Sequence, residues 1–357
     1  MIYGRGAPRG KDHNKRGKVK EPKMEGKKGI VFWVMAFLMM TVTPSVVYAK
    51  TPITIYSSVH QDVLGVIAAE FNKRTPDVEL KYLRMGTTQI IEQVNAELKA
   101  GKITADLLWT ADPAYFEELK QRGLIVRYLP PSAKDIPEVF IDPDGYYVGA
   151  RILSIGLMHN TKLVKEAEAP RDWNNLLDPK WRNQIAHASP TYSGSATAAV
   201  TALTQSPKYG WAYYEKLRAN GCIIIQSQGL TEHKVARGEY RVGIGLDYGI
   251  RKMTAEGSPI RFVYPESGTV TWASPIAIFK ASQHQDAAKR FIDFVLSAEG
   301  QKFLITEYIV SVNPKVASPK GAPPVLDILK KSLPVDWDYL VKNREELLKR
   351  FSKTMLE

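Results

Sequence analysis

The stretch SPTYSGSATAAV carries the most chemical promise. In it Ser193, Gly194, Ser195 and Ala196 stand where a proline turn gives way to small helix-forming residues. The first turn of a helix has backbone N–H groups with no helical partner, and the helix dipole adds partial positive charge there. Ser193 and Ser195 add hydroxyl donors, and Gly194 lets a ligand approach the backbone closely. A helix start of this kind, expected at about Ser195, suits a phosphate, phosphonate or carboxylate. The same residues also make an ordinary serine cap after a proline turn, so their place in the fold must decide between the two readings.

Further candidates stand at the ends of other apolar runs. Ser57 and Ser58 close PITIYSS just before a helical pattern, which makes a second helix start or a second cap. Thr110 ends LLWT with one hydrogen bond to give, and Asp112 beside it reads as a cap. Arg151 sits on a long extended segment, either as a permanent cation for an oxyanion or as a hinge surface residue. Asp247 and Tyr248 follow the glycine-rich GIGL. The carboxylate would suit a ligand ammonium or hydroxyl and the phenol an oxyanion; a turn Asp and a core Tyr are the alternative. The six histidines are scattered without metal-ligand spacing, and no Gly-x-Ser-x-Gly elbow, Cys–His pair or Walker loop occurs. No catalytic set and no cofactor is therefore expected, which leaves a secreted hydrolase or transferase as the weaker reading.

The elements that must position these residues alternate. PITIYSS, VELKYLRM and ADLLW read as strands, each followed by a helical pattern, which means a parallel sheet flanked by helices. GYYVGARILSIGLMHN is a long extended segment without a helix break, and TVTWASPIAIFK is another. Between them runs a second alternating set. The expected fold is α/β with two lobes, 50–152 plus 273–357 and 153–272, joined by two crossings, with ligand groups at strand ends facing the cleft. A mature part of about 300 residues fits two lobes, since single cores stop growing near that size.

Of the net charge of +12, a surplus of 7 lies within residues 1–29, which removes the main support for a nucleic-acid partner. The apolar run GIVFWVMAFLMMTV and the following PSVVYAK read as a signal peptide cleaved near Ala49, with Met24 as an alternative start. Residues 1–49 are thus expected to be lost, leaving an exported, soluble, periplasmic monomer. The one cysteine, Cys222, stands far from any lipid-anchor position and reads as a buried apolar side chain.

Several of these segments occur together and in order: ITIYSSVHQDVLGVIAAEFNKRT, ADLLWTADPAYFEELKQRGLI, GLMHNTKLV, PRDWNNLLDPKWRNQIAHASPTYSGSA, VARGEYRVGIG and SAEGQKFL. The chain resembles the extracellular solute-binding proteins of ABC importers, in the branch with ferric-ion, phosphonate and sugar-phosphate binders. That resemblance implies a type II periplasmic-binding-protein fold that closes on a small anionic solute and delivers it to an inner-membrane permease. In the ferric members it implies a His after the first strand, a Glu after the third and a Tyr pair after the strand matching VGIG. Here His60 and Tyr248 match, whereas Ala111 and Asp247 stand at the other two places. Ser193-Gly194-Ser195-Ala196 matches the family's anion pocket. The expected cargo is a phosphonate, such as an aminoalkylphosphonate with its amine on Asp247, or a sugar or other organic phosphate. Fe3+ held by His60 and Tyr248 with a bound anion is the alternative.

Overall fold

The computed structural model describes residues 49–357, which form one compact unit. The leader, its cleavage site and Met24 lie outside the described residues. Nine strands carry the fold. They are β1 (Thr51–Ser57), β2 (Val78–Arg84), β3 (Leu107–Trp109), β4 (Val148–Asn160), β5 (Ile185–Ala188), β6 (Ile223–Ile225), β7 (Val242–Leu246), β8 (Ile260–Val263) and β9 (Val270–Ile278). Their order is β2-β1-β3-β9-β4-β7-β5-β6, with β8 on β4.

The long strands β4 and β9 are the two extended segments expected to cross, and they pair antiparallel with each other at the centre. On one side β1 runs parallel to both β2 and β3. On the other, β5 runs parallel to both β6 and β7. Every residue of β4 and of β9 is buried, as an apolar run covered on both faces requires. Gly149 lies where the β4–β9 register shifts, and a Cβ there would stand 2.2 Å from that of Ala273.

Helices follow the strands on each side. α1 (Gln61–Arg74) buries Val63, Leu64, Ile67, Ala68 and Phe71 at helical spacing and carries Asp62 in its first turn and Lys73 and Arg74 in its last, as the dipole favours. α2 (Thr87–Lys99) follows β2, and α3 (Pro113–Gln121) follows β3 with Asp112 as its cap, its carboxylate accepting from Tyr115 N. α4 (Gly194–Gln205) is made almost wholly of Ala, Ser, Thr and Gly, and all of it but Gln205 is buried. Small side chains let this helix press against the central strands. α5 (Gly210–Ala219), α6 (Gln228–Ala236) and α7 (Asp247–Ala255) complete that side. α8 (Gln285–Leu296), α9 (Ala298–Thr306), α10 (Val325–Lys330) and α11 (Trp337–Leu356) follow β9.

The sequence places all of 273–357 with the first half, and the last helix departs from this. α11 is broken at Asn343 (φ −127°, ψ 17°). Just beyond the break, Arg344 binds the Asp112 carboxylate at the start of α3. Farther on, Phe351 packs on Tyr214 of α5 at 5.6 Å and on His187 of β5 at 5.9 Å. The C-terminal helix therefore fastens to both halves. Cys222 is buried, as expected, and burial pushes its thiol pKa up. No helix among the described residues is long and apolar enough to cross a membrane.

Candidate functional site

A cavity of about 30 Å³ lies beside β4, between the first and second sets of strands. By volume it has room for about two waters, so the halves are drawn together around it. Its wall takes Ser58, His60, Arg84, Gly86 and Thr87 from the first half. From the second come Ser193, Gly194, Ser195, Ser227, Gln228 and Tyr248. Arg151 and Leu153 reach it from the crossing strand β4.

Five helices begin at this wall. Their N-cap residues are His60 (α1), Gly86 (α2), Ser193 (α4), Ser227 (α6) and Leu246 (α7), and all five line the cavity. Ser193 and Ser227 cap their helices by accepting from Ala196 N and Leu230 N; the other three starts have no side-chain cap. Each start contributes up to about half a positive charge. The α4 helix begins one residue earlier than the sequence suggests, so Ser193 is its cap and Gly194 its first residue. Ser195 Oγ lies 3.0 Å from Ser193 Oγ.

Arg151 is the centre of the electrostatics. It is 1% exposed, and its Nε and Nη1 have no hydrogen-bond partner. Its guanidinium lies 5.7 Å from the Trp109 ring and 5.2 Å from the Tyr248 ring. No ion pair involves it among the described residues. A buried guanidinium without an acceptor costs several kcal/mol, and folding tolerates that only where something else repays it. Tyr248 Oη and Thr87 Oγ1 are likewise buried and unpartnered. Burial raises the phenol pKa of Tyr248 while Arg151 opposes the rise.

His60 packs against Tyr248 with ring centroids 5.0 Å apart and the rings tilted at 47°. Burial first, then the charges of Arg151 and Arg84, push its pKa down to about 3, so the imidazole is neutral. Arg84 is held by its Nε, which donates to the Val59 carbonyl at 3.2 Å.

The halves touch where two helix starts meet. A Cβ on Gly194 would stand 2.7 Å from Thr87 Oγ1, and one on Gly86 would stand 2.6 Å from the Tyr192 carbonyl oxygen. Thr88 N donates to that carbonyl at 3.4 Å. Lys252 of α7 binds Asp62 of α1 at 2.6 Å and Glu307 at 2.8 Å.

The expected site residues divide. Ser58, Arg151, Ser193, Gly194, Ser195 and Tyr248 come together on the wall, with His60. Ser57 does not: its hydroxyl is buried, donates to the Trp109 carbonyl and accepts from Val59 N. Thr110 is fully buried and Ala196 is the third residue of α4; neither lines the cavity. Asp247 is a correction. Its carboxylate does not face the cavity but accepts from Arg251 at 2.8 Å, from Tyr248 N at 2.8 Å and from Ser154 N at 3.3 Å. A buried carboxylate beside an arginine one helical turn away is neutralised within the protein, so it offers nothing to a ligand amine.

The candidate ligand residues read from the sequence did not include Arg84, Gly86, Thr87 or Ser227. Ser227 was legible, since SQGL repeats the serine-before-helix pattern of SGSA. Arg84 was not, because a strand-end arginine looks like any surface cation until the fold turns it inward. Glu232 was also missed. It is 1% exposed, accepts from Leu246 N at 3.1 Å, and burial pushes its pKa up to about 8.

No group of three or more His, Cys, Asp or Glu side chains that could hold a metal ion occurs among the described residues.

Comparison with known proteins agrees with this architecture. The family model described as bacterial extracellular solute-binding protein matches residues 66–324. A periplasmic protein of Salmonella typhimurium (strain LT2), provisionally named for binding 2-aminoethylphosphonate, is 25% identical over 267 residues, 71% of this chain and 76% of that protein. The major ferric iron-binding protein of Neisseria meningitidis serogroup B is 24% identical over 318 residues, 84% of this chain and 91% of that one. Among solved structures, the periplasmic binding protein AfuA of Actinobacillus pleuropneumoniae, with fructose-6-phosphate bound, superposes with a TM-score of 0.77 at 25% identity. That match covers 86% of this chain and 99% of AfuA. Two parallel strand sets flanking an antiparallel pair, a cleft walled by helix starts, and a family match over residues 66–324 lead to one conclusion: the chain belongs to the bacterial extracellular solute-binding proteins and has the type II periplasmic-binding-protein fold.

Proposed function

We propose that this solute-binding protein is the capture component of an ABC importer for a small organic phosphate or phosphonate. One observation carries the reading: Arg151, buried in the cleft with its Nε and Nη1 unpartnered, stands where five helix starts converge. Phosphate and phosphonate oxygens supply the several acceptors that such a donor set requires. The helix starts hold the oxyanion head, Arg151 donates to it, and Ser58, Ser195 and Tyr248 offer hydroxyls. At about 30 Å³ the cavity is too small to admit a solute from outside, so entry requires the halves to part about the β4–β9 pair and then close again. The solute then passes to a membrane permease.

Isothermal calorimetry with phosphate monoesters and alkylphosphonates tests this. Affinity in the micromolar range, about −8 kcal/mol, is expected for the right cargo. Arg151→Met should weaken it about 100-fold, as loss of a buried charge-assisted contact does. If no phosphorus oxyanion binds below about 1 mM, the reading is wrong.

The ferric alternative has one point in its favour, the adjacency of His60 and the unpartnered Tyr248 hydroxyl. Against it stands the Arg151 guanidinium beside the same phenol, since a cation there repels a metal ion. Ferric citrate should produce no phenolate charge-transfer band; a band that Tyr248→Phe removes would restore iron as the cargo.

A further inference from the structure

The cleft is positive and its wall holds no acid. Two arginines and five helix starts face it, and no Asp or Glu is among its lining residues. The carboxyls nearest to it are all taken up elsewhere. Asp247 is neutralised by Arg251 and two backbone N–H groups. Asp62 binds Lys252. Glu232 lies behind Leu246 and Gly249, with His60 before it: a Cβ on Gly249 would stand 2.6 Å from Glu232 Oε2 and 3.2 Å from His60 Cε1. With its pKa near 8 that carboxyl is uncharged at neutral pH. An ammonium brought into this cavity would shed its water, meet like charge, and find no anion of the protein to pair with.

We infer that the cargo is wholly anionic, a phosphorylated compound whose remaining polar groups are hydroxyls, and that the cleft rejects zwitterionic analogues bearing an amine. This rests on the oxyanion reading above and names the class of solute within it. It also departs from the aminoalkylphosphonate that the sequence favoured, because that choice depended on a free Asp247. Hydroxyls suit the wall: Ser58 and Ser227 each accept from a backbone N–H, of Ala111 and Leu230, and keep a proton to donate.

The test is a pair of calorimetric titrations at pH 7 with 2-hydroxyethyl phosphate and O-phosphoethanolamine, which differ in hydroxyl against ammonium. Phosphate monoesters have a second pKa of about 6, so both heads are largely dianionic. The larger pair glucose 6-phosphate and glucosamine 6-phosphate repeats the comparison for a bulkier cargo. In whichever pair binds, the hydroxyl compound should bind at least about tenfold tighter. Ser227→Asp keeps a helix cap while adding a carboxylate to the wall, and should narrow or reverse that ratio. Equal affinities, a preference for the amine, or a Ser227→Asp variant that weakens both partners alike would overturn the exclusion and leave the oxyanion reading standing. Should neither pair bind, nor inorganic phosphate or an alkylphosphonate, the oxyanion reading itself fails.

Discussion

At the scale of single residues, the cleft is a place where the fold accepts instability for binding. Arg151 is the clearest case, a full charge among Trp109, Leu153 and Tyr248 with donors unmet. The substitution that weakens binding should therefore also stabilise the ligand-free protein. Urea denaturation should place Arg151→Met about 1–4 kcal/mol above the parent, as removal of uncompensated buried charge does. A destabilised variant would show that Arg151 is an ordinary packing residue. Glu232 gives a second test through pH. Its folded pKa of about 8 exceeds the usual carboxyl value of about 4.3, so between those values the native state holds a proton that the unfolded state has lost. Stability contributed by this group is full below about pH 4 and falls as pH rises, by up to about 1.4 kcal/mol per unit, until pH 8. His60 acts in the opposite direction. Its folded pKa of about 3 lies below the ordinary value, so stability falls as pH drops from about 6.5 towards 3. Glu232→Gln should remove the alkaline decline and leave the acid one, which urea unfolding at pH 5, 6, 7 and 8 would measure.

At the scale of elements, the site is an arrangement of helix starts. No single cap distinguishes α4, since Ser193 accepts from Ala196 N as any serine cap does. What matters is that β1, β2, β7 and the turns after β5 and β6 deliver their following helices to the same wall. Gly194 shows how tightly two of them meet. Alanine favours a helix over glycine by about 1 kcal/mol, so Gly194→Ala should leave the second half at least as stable. Its new methyl would nevertheless sit 2.7 Å from Thr87 Oγ1, which keeps the α2 and α4 starts apart. Affinity for the cargo should fall about tenfold or more, and the radius of gyration by small-angle scattering should no longer shrink on adding ligand. Normal compaction in this variant would mean that Thr87 yields easily and that the contact does not control closure.

At the scale of the whole molecule, the C-terminal helix ties the halves together outside the β4–β9 pair. Its Arg344, just past the break at Asn343, grips Asp112 of the first half, while Phe351 packs on His187 and Tyr214 of the second. Arg344→Met should cost about 3–5 kcal/mol, because it leaves the buried Asp112 carboxylate without its cation. Phe351→Ala should cost about as much through a cavity alone. The two changes touch different halves and are separated by two helical turns, so their costs should add in denaturant titrations. Strong coupling between them would show that the helix moves as one rigid strut.

The sequence by itself determined the class of fold, the two crossing segments and the helix start at Ser193 to Ser195. These follow from period and local chemistry: apolar alternation, long runs without a break, and small capping residues. It could not determine which polar side chains face the cleft. Asp247 and Tyr248 are neighbours in GIGLDYG, yet Tyr248 lines the cavity while Asp247 turns to Arg251. Ser57 and Ser58 divide in the same way, one bonded to Trp109 within the sheet and the other on the wall. Adjacent residues leave the backbone in different directions, by about 180° in a strand and about 100° in a helix, so a shift of one position exchanges ligand contact for internal pairing. The charge of the site was hidden for the same reason. Arg84, Arg151, Asp247 and Glu232 are far apart along the chain, and only their packing decides which charges remain free to meet a solute.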